Sequence, residues 1–266
     1  MGLTLKRVRV VLARMTPRAI QKNQHVRRLR GRVARKLLRY RVRHGFRLVP
    51  EEAFSSTLLA LVSDLSERQQ RLGDYLEFGV FNGTSLACAH QVLDEVGQGH
   101  VRFFGFDSFQ GMPRDAATED GGVWMPGALW SDLDFTREFL TEHGVDWNRT
   151  VLVEGWFSDT LNDETRERLA LRETSVVMID CDLYSSALAA LRFVRPLLAD
   201  EAVILFDDWY SVDLSERLQG EARALAEFEG EAPEFEFTPA GSYSRTSNVV
   251  RVRRLIPRGG VPARPG

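Results

Sequence analysis

Five short, almost wholly apolar runs, each set off from the next by a helical stretch, constrain this chain more than any other feature. They are "DYLEFGV" (74–80), "HVRFFGFD" (100–107), "TVLVEGWF" (150–157), "TSVVMIDCD" (174–182) and "EAVILFDDWY" (201–210). A strand with one wet face alternates polar and apolar residues, whereas a strand covered on both faces reads as a continuous apolar run. The stretches between them, "TSLACAHQVLDEV", "DLDFTREFLTEHG", "SDTLNDETRERLAL" and "SSALAALRFVRPLL", read as helices. Thr84 or Ser85 is expected to cap the first of these. A further helix, "EEAFSSTLLALVSDLSERQQ", precedes the first strand, with apolar residues at 54, 58, 59, 61, 62 and 65. The alternation predicts an α/β fold, a mostly parallel sheet with helices on both faces.

In such sheets ligands bind at the carboxyl ends of the strands. Acidic residues gather there: Glu77, Asp107, Asp180, and the pair Asp207 and Asp208. Any one of them serves as a helix cap or a solvated turn. Five along one edge repel each other unless a cation, a ligand or a proton offsets them. The first turn, "YLEFGVFNGTSL", has Gly79 and Gly83 but no GxGxxG, because Phe81 stands where a second glycine would, and no lysine follows Gly83 as in a P-loop. A close backbone approach beside an acid suits S-adenosylmethionine. Glu77 is placed to offset its ammonium and sulfonium charges, and Asp107 to accept hydrogen bonds from ribose hydroxyls, a logic shared with nicotinamide sites.

The 266 residues suffice for one α/β domain with appendages. No apolar run approaches the roughly 20 residues that span a bilayer. Cys88 and Cys181 have no CxxC partner and read as buried thiols of a reducing compartment. The net charge of -2 conceals polarity: residues 1–50 carry sixteen Lys or Arg and no Asp or Glu, leaving nineteen basic against all 37 acidic residues. Residues 1–48 therefore form a basic, helix-prone N-terminal extension. It reads as docking on its own acidic body or an oligomer interface, as a peripheral contact with an anionic membrane, or as a polyanion-binding arm. Nucleic acid is not expected, since only Tyr40 and Phe46 offer stacking surfaces there. Residues 257–266 are expected to be a disordered tail.

"YLEFGVFNGTSL", "FFGFDSFQGMP", "GWFSDTL", "IDCDLYSSALAAL" and "VILFDDWY" together resemble, in order, the motifs of the macrocin O-methyltransferase family, over roughly residues 50–255. The resemblance implies a Rossmann-like class I methyltransferase domain over residues 49–256, S-adenosylmethionine and Mg²⁺ as cofactors, and a sugar hydroxyl of a natural product as acceptor. It implies that Glu77, Gly79, Gly83, Ser85, Asp107 and Ser108 form the cofactor site, with Trp156 and Phe157 near the adenine. Asp180, Asp207 and Asp208 match the family's magnesium ligands. Hard oxygen donors suit that ion. A cation held by a vicinal diol lowers a hydroxyl's pKa, and Asp180 or Asp182 is placed to take the proton. Two departures stand out: no histidine follows His143 to serve as a late base, and the arginine-rich start is longer than a lid needs.

The long loop "SFQGMPRDAATEDGGVWMPGALW" brings Trp124 and Trp130, which either clamp the acceptor or fold the loop down. Tyr184 either contacts substrate or packs a helix start. His90 and His143 read as structural, and "EFEGEAPEFEF" as a solvated edge strand or loop. The expected setting is cytoplasmic, peripheral at the inner membrane surface, in a homo-oligomer. Competing readings are a nicotinamide-dependent sugar oxidoreductase and a non-catalytic protein acting through its basic arm.

Overall fold

The structure, a computed structural model, describes Tyr40 and residues 48–255. The basic extension, apart from Tyr40 and Leu48, and the tail at 257–266 lie outside the described residues. The chain opens with helix α1 (Glu51–Gln69), then β1 (Asp74–Phe78), α2 (Thr84–Glu95) and β2 (Phe103–Asp107). A loop with two short 3₁₀ turns leads to α3 (Leu133–Glu142), β3 (Thr150–Glu154), α4 (Phe157–Thr160), α5 (Asp163–Arg168) and β4 (Thr174–Ile179). The remainder is α6 (Tyr184–Val194), β5 (Leu198–Phe206), α7 (Gly220–Glu231), β6 (Phe235–Gly241) and β7 (Asn248–Arg254).

The seven strands form one sheet in the order β3-β2-β1-β4-β5-β7-β6. The first five are parallel, and β7 runs antiparallel between β5 and β6. Side chains alternate across the sheet with the period of two that a strand imposes. Tyr75, Phe103, Val176, Met178, Val203 and Leu205 pack with α1, α2 and α3 on one face. Leu76, Phe78, Phe106, Ile179, Ile204 and Phe206 pack with α6 and α7 on the other. Both faces are dry, which is why the strands read as unbroken apolar runs. Among the described residues no helix is long and apolar enough to cross a membrane.

Several local expectations are corrected. Neither Thr84 nor Ser85 caps α2; the N-cap is Gly83, in the left-handed region at φ 87°, where glycine has no Cβ to clash. "SDTLNDETRERLAL" is two short helices, because Asn162 starts a new one by accepting the Thr165 N–H at 2.9 Å. "TVLVEGWF" leaves the sheet after Glu154, and β5 begins at Leu198. The acidic stretch divides between the end of α7 and β6, which does lie at the sheet's edge.

Candidate functional site

The chain leaves β1 toward β2 on one side and, after β3, returns to place β4 and β5 on the other. The strand order thus reverses between β1 and β4, and the crevice beyond their carboxyl ends is where this topology admits ligands. A cavity of about 490 Å³ opens there. Gly79 sits on its wall with φ 92°, and a Cβ at that position would stand 2.0 Å from the Asp180 carbonyl oxygen. Only glycine lets the β1 turn pass so close to the end of β4. The first glycine of the opening motif therefore serves the close approach of β1 and β4 as well as the cavity.

Glu77, Gly83 and Ser85 are not on that wall. Glu77 is fully buried within β1, where its Oε2 accepts from Tyr75 at 2.5 Å and its Oε1 from Ser85 at 2.8 Å. Burial pushes its carboxyl up to about 8, against the two hydroxyl donors that favour the charged form. Burial and the neighbouring Glu77 likewise push the Tyr75 phenol well up, so it remains a donor. Gly83 faces the other way, against the Leu140 side chain.

Asp107, Ser108, Trp156 and Phe157 do line the cavity. Asp107 accepts the Phe81 N–H at 2.9 Å and the Phe109 N–H at 2.7 Å, one on each oxygen. Burial raises its carboxyl and these amides oppose the rise. The Val80 N–H is a third backbone donor to this carboxylate, which leaves it acceptor capacity for one ligand hydroxyl. The Ser108 hydroxyl donates to the Gly111 carbonyl at 3.2 Å. Phe157 packs edge-on against Phe78 at 5.9 Å, which fixes an aromatic wall on the core.

Asp180, Asp182 and Asp208 line the same cavity. Carboxylate oxygens of Asp180, Asp207 and Asp208 all lie within 4.8 Å of one another. The sheet places them: the Asp180 N–H donates to the Phe78 carbonyl at 2.9 Å and the Asp207 N–H to the Ile179 carbonyl at 3.0 Å, so the ladder continues one residue past each strand. Tyr243 donates to Asp207 Oδ1 at 2.9 Å, and Ser211 donates to Asp208 Oδ1. The fully buried Glu221 accepts the Asp208 N–H at 3.0 Å. Burial, with Glu221, Asp182, Asp180 and Asp208 nearby, pushes the Cys181 thiol well up. Three carboxylates brought together by strand ends form a hard-oxygen donor set of the kind Mg²⁺ takes, with room on the cavity side for a ligand oxygen. The residues present fit such an ion.

The loop after β2 closes over this edge. Trp124 is packed with Met112, Ala116, Leu183 and Leu214 in a small apolar cluster of its own. Trp130 is half-buried against the Gly111 turn. Neither lines the cavity; Met112, Pro113, Asp115 and Leu129 of the same loop do. Tyr184 is engaged elsewhere, its hydroxyl donating to Glu227 at 2.6 Å and its ring under the Arg223 guanidinium at 3.9 Å. His90 is buried and its Nε2 accepts the Asp146 N–H at 3.0 Å, a structural role. The sequence reading did not single out Asp120, Glu221 or Tyr243. None carries a motif, and only the long loop hinted at the first.

The model of the family described as macrocin O-methyltransferase (TylF) matches residues 22–231. The chain is 32% identical over 147 residues to the 8-demethyl-8-(2,3-dimethoxy-alpha-L-rhamnosyl)-tetracenomycin-C 4'-O-methyltransferase of Streptomyces olivaceus, covering 53% of this chain and 54% of that one. It is 26% identical over 145 residues to the mycinamicin III 3''-O-methyltransferase of Micromonospora griseorubida, covering 52% and 55%. It thus spans about half the length of the curated relatives it matches. Among solved structures, the O-methyltransferase NovP superposes with a TM-score of 0.61 at 18% identity, over 77% of this chain and 79% of that one. The fold is the Rossmann-like one of class I methyltransferases.

Proposed function

This chain belongs to the macrocin O-methyltransferase family, and from that premise we propose that it methylates a sugar hydroxyl of a glycosylated natural product, using S-adenosylmethionine and Mg²⁺. The observation that carries the reading is one cavity lined by two unlike sets of residues: Gly79, Asp107, Ser108, Trp156 and Phe157 from the first three strand ends, and Asp180, Asp182 and Asp208 from the ends of β4 and β5. The names of the relatives from Streptomyces olivaceus and Micromonospora griseorubida, both sugar-position O-methyltransferases, support the acceptor class. The catalytic unit is residues 49–256.

Bound S-adenosylmethionine supplies a methyl group on a sulfonium, and bound Mg²⁺ lowers the pKa of an acceptor hydroxyl. Gly79 leaves backbone room where the ends of β1 and β4 meet. Asp107 offers its remaining acceptor capacity to a ribose hydroxyl, and Trp156 and Phe157 give a flat ring an apolar wall. Glu77 acts from behind the turn by holding Ser85 and Tyr75. Asp180, Asp207 and Asp208 are the proposed magnesium ligands. Asp180 or Asp182 takes the hydroxyl proton, with Asp182 also on the cavity wall and almost fully buried. Alignment of acceptor and methyl donor in one cavity contributes more than acid catalysis, because the leaving group needs no proton.

Calorimetric titration with S-adenosylhomocysteine, with and without Mg²⁺, tests the cofactor, and NAD serves as the competing ligand. Asp207→Ala is expected to lower metal-dependent transfer by about 100-fold or more while cofactor affinity stays within about threefold. Full activity in excess chelator would remove the metal from this account, and heat from NAD alone would replace the cofactor.

A further inference from the structure

Asp120 lies in the middle of the loop between β2 and α3, yet it is nearly fully buried. Its backbone is in the left-handed region at φ 50°, followed by Gly121 and Gly122, which are also at positive φ. Three such residues in a row turn the chain sharply and aim one carboxylate inward. Its Oδ2 accepts the Tyr184 N–H at 2.9 Å, at the start of α6, and its Oδ1 accepts the Gly220 N–H at 2.8 Å, at the start of α7. One side chain therefore serves first-turn N–H groups of two different helices, groups that have no partner within their own helix, and each helix start favours an anion there.

Those helices follow the two segments that carry the acid group. Tyr184 is two residues beyond Asp182. Gly220 precedes Glu221, whose carboxylate holds the Asp208 N–H at 3.0 Å. A Cβ on Gly220 would stand 3.5 Å from the Asp182 carbonyl oxygen, so the two segments already run side by side at this point. The apolar contacts repeat the pattern: Met112, Ala116 and Trp124 of the loop pack on Leu183 and Leu214, one from each segment. Met112 is also a cavity wall. Glu119 adds a link to α6 alone, accepting the Ser185 N–H at 2.6 Å and its hydroxyl at 2.8 Å.

We infer that Asp120 is a positioning residue that couples closure of the 108–131 loop over the cavity to assembly of the Asp180, Asp207 and Asp208 carboxylates, so that whatever orders the loop also strengthens divalent-cation binding. The link is reciprocal, as coupled binding equilibria must be. The inference rests on the proposed function only in taking a divalent cation as the ion these carboxylates hold.

The test uses Mn²⁺ as probe, followed by electron paramagnetic resonance, with hydrogen exchange of the loop and of the Tyr184 and Gly220 amides. Asp120→Ala is expected to lose protection at both amides and to bind Mn²⁺ about tenfold more weakly, within the range typical of coupled sites. Glu119→Ala is expected to loosen the loop at Ser185 while Mn²⁺ affinity stays within about twofold, since the Gly220 link is intact. Asp120→Asn keeps one acceptor oxygen, so one amide stays protected and Mn²⁺ affinity falls about threefold. That variant carries the test if Asp120→Ala does not fold. Loss of loop protection with unchanged Mn²⁺ affinity in the Asp120 variants would reduce the residue to a helix cap and overturn the coupling, as would a wild-type protein that binds no Mn²⁺. A wild-type protein that binds Mn²⁺ tightly, shows this dependence on Asp120 and yet transfers no methyl group would overturn the proposed function and leave the coupling standing.

Discussion

Two acidic positions at the same sheet edge, Glu77 and the Asp180–Asp207–Asp208 group, look alike in the sequence and differ completely in the fold. Glu77 is one residue short of the end of β1, so its side chain still obeys the strand's alternation and enters the layer beneath α2. There the Tyr75 and Ser85 hydroxyls meet both of its oxygens. Asp180 and Asp207 each stand one residue past a strand, where the pleat no longer dictates direction, and with Asp208 their oxygens gather within 4.8 Å. A shift of two residues along a strand separates an internal staple from a donor set facing a cavity. Acidity at a strand end is thus only half of a site prediction; the residue's place in the pleat is the other half.

The comparison can be broken most forcefully at Gly79, where the two regions touch. Gly79→Ala places a Cβ at a positive φ and 2.0 Å from the Asp180 carbonyl, and a loss of about 4 kcal/mol or more is expected in denaturant unfolding. An unchanged midpoint would mean that the contact between the ends of β1 and β4 can yield. Glu77→Gln sharpens the other side. The folded carboxyl holds its proton up to about pH 8, whereas in the unfolded chain it ionises near its ordinary value of 4.5. The folded state therefore binds the extra proton between those values, and wild-type stability is expected to fall as pH rises through that window. Glutamine cannot ionise, so its unfolding curve is expected to stay flatter from pH 5 to 8, with a gain of up to about 4 kcal/mol at the upper end. Parallel pH profiles for the two proteins would show that Glu77 is not protonated in the fold. Tyr184→Phe should have the smallest effect. It removes one exposed hydrogen bond to Glu227, worth about 0.5–1 kcal/mol, and the acceptor KM is expected to stay within about twofold. A tenfold rise would return Tyr184 to the acceptor site.

Much of this was legible beforehand. The five parallel strands, the helices between them and the carboxylates at one edge follow from apolar runs and their spacing, because a doubly covered sheet demands both. The family motifs added the cofactor and metal assignments that spacing could not separate from a nicotinamide site. Illegible were α7 and β7, whose patterns are broken by charged residues: Glu229 and Arg253 are exposed, and Arg251 pairs with Asp64 of α1. Asp120 was equally hidden, since a single acid in a glycine-bearing loop has no periodicity to betray its burial. Trp124 shows the same limit: its sequence context allows a substrate clamp or a folded loop, and only its packing against Leu183 and Leu214 distinguishes them.

What the sequence determined by itself is the architecture and the edge at which chemistry is placed, since both depend on local periodicity and on chain direction, which are properties of neighbours in the chain. The tertiary structure decided which acids face the cavity, that Gly79 must pass the Asp180 carbonyl, and that Asp120 ties residues 64 and 100 positions away into one assembly. Those outcomes depend on where segments distant in sequence meet, and a contact of that kind leaves no repeat in the chain to read.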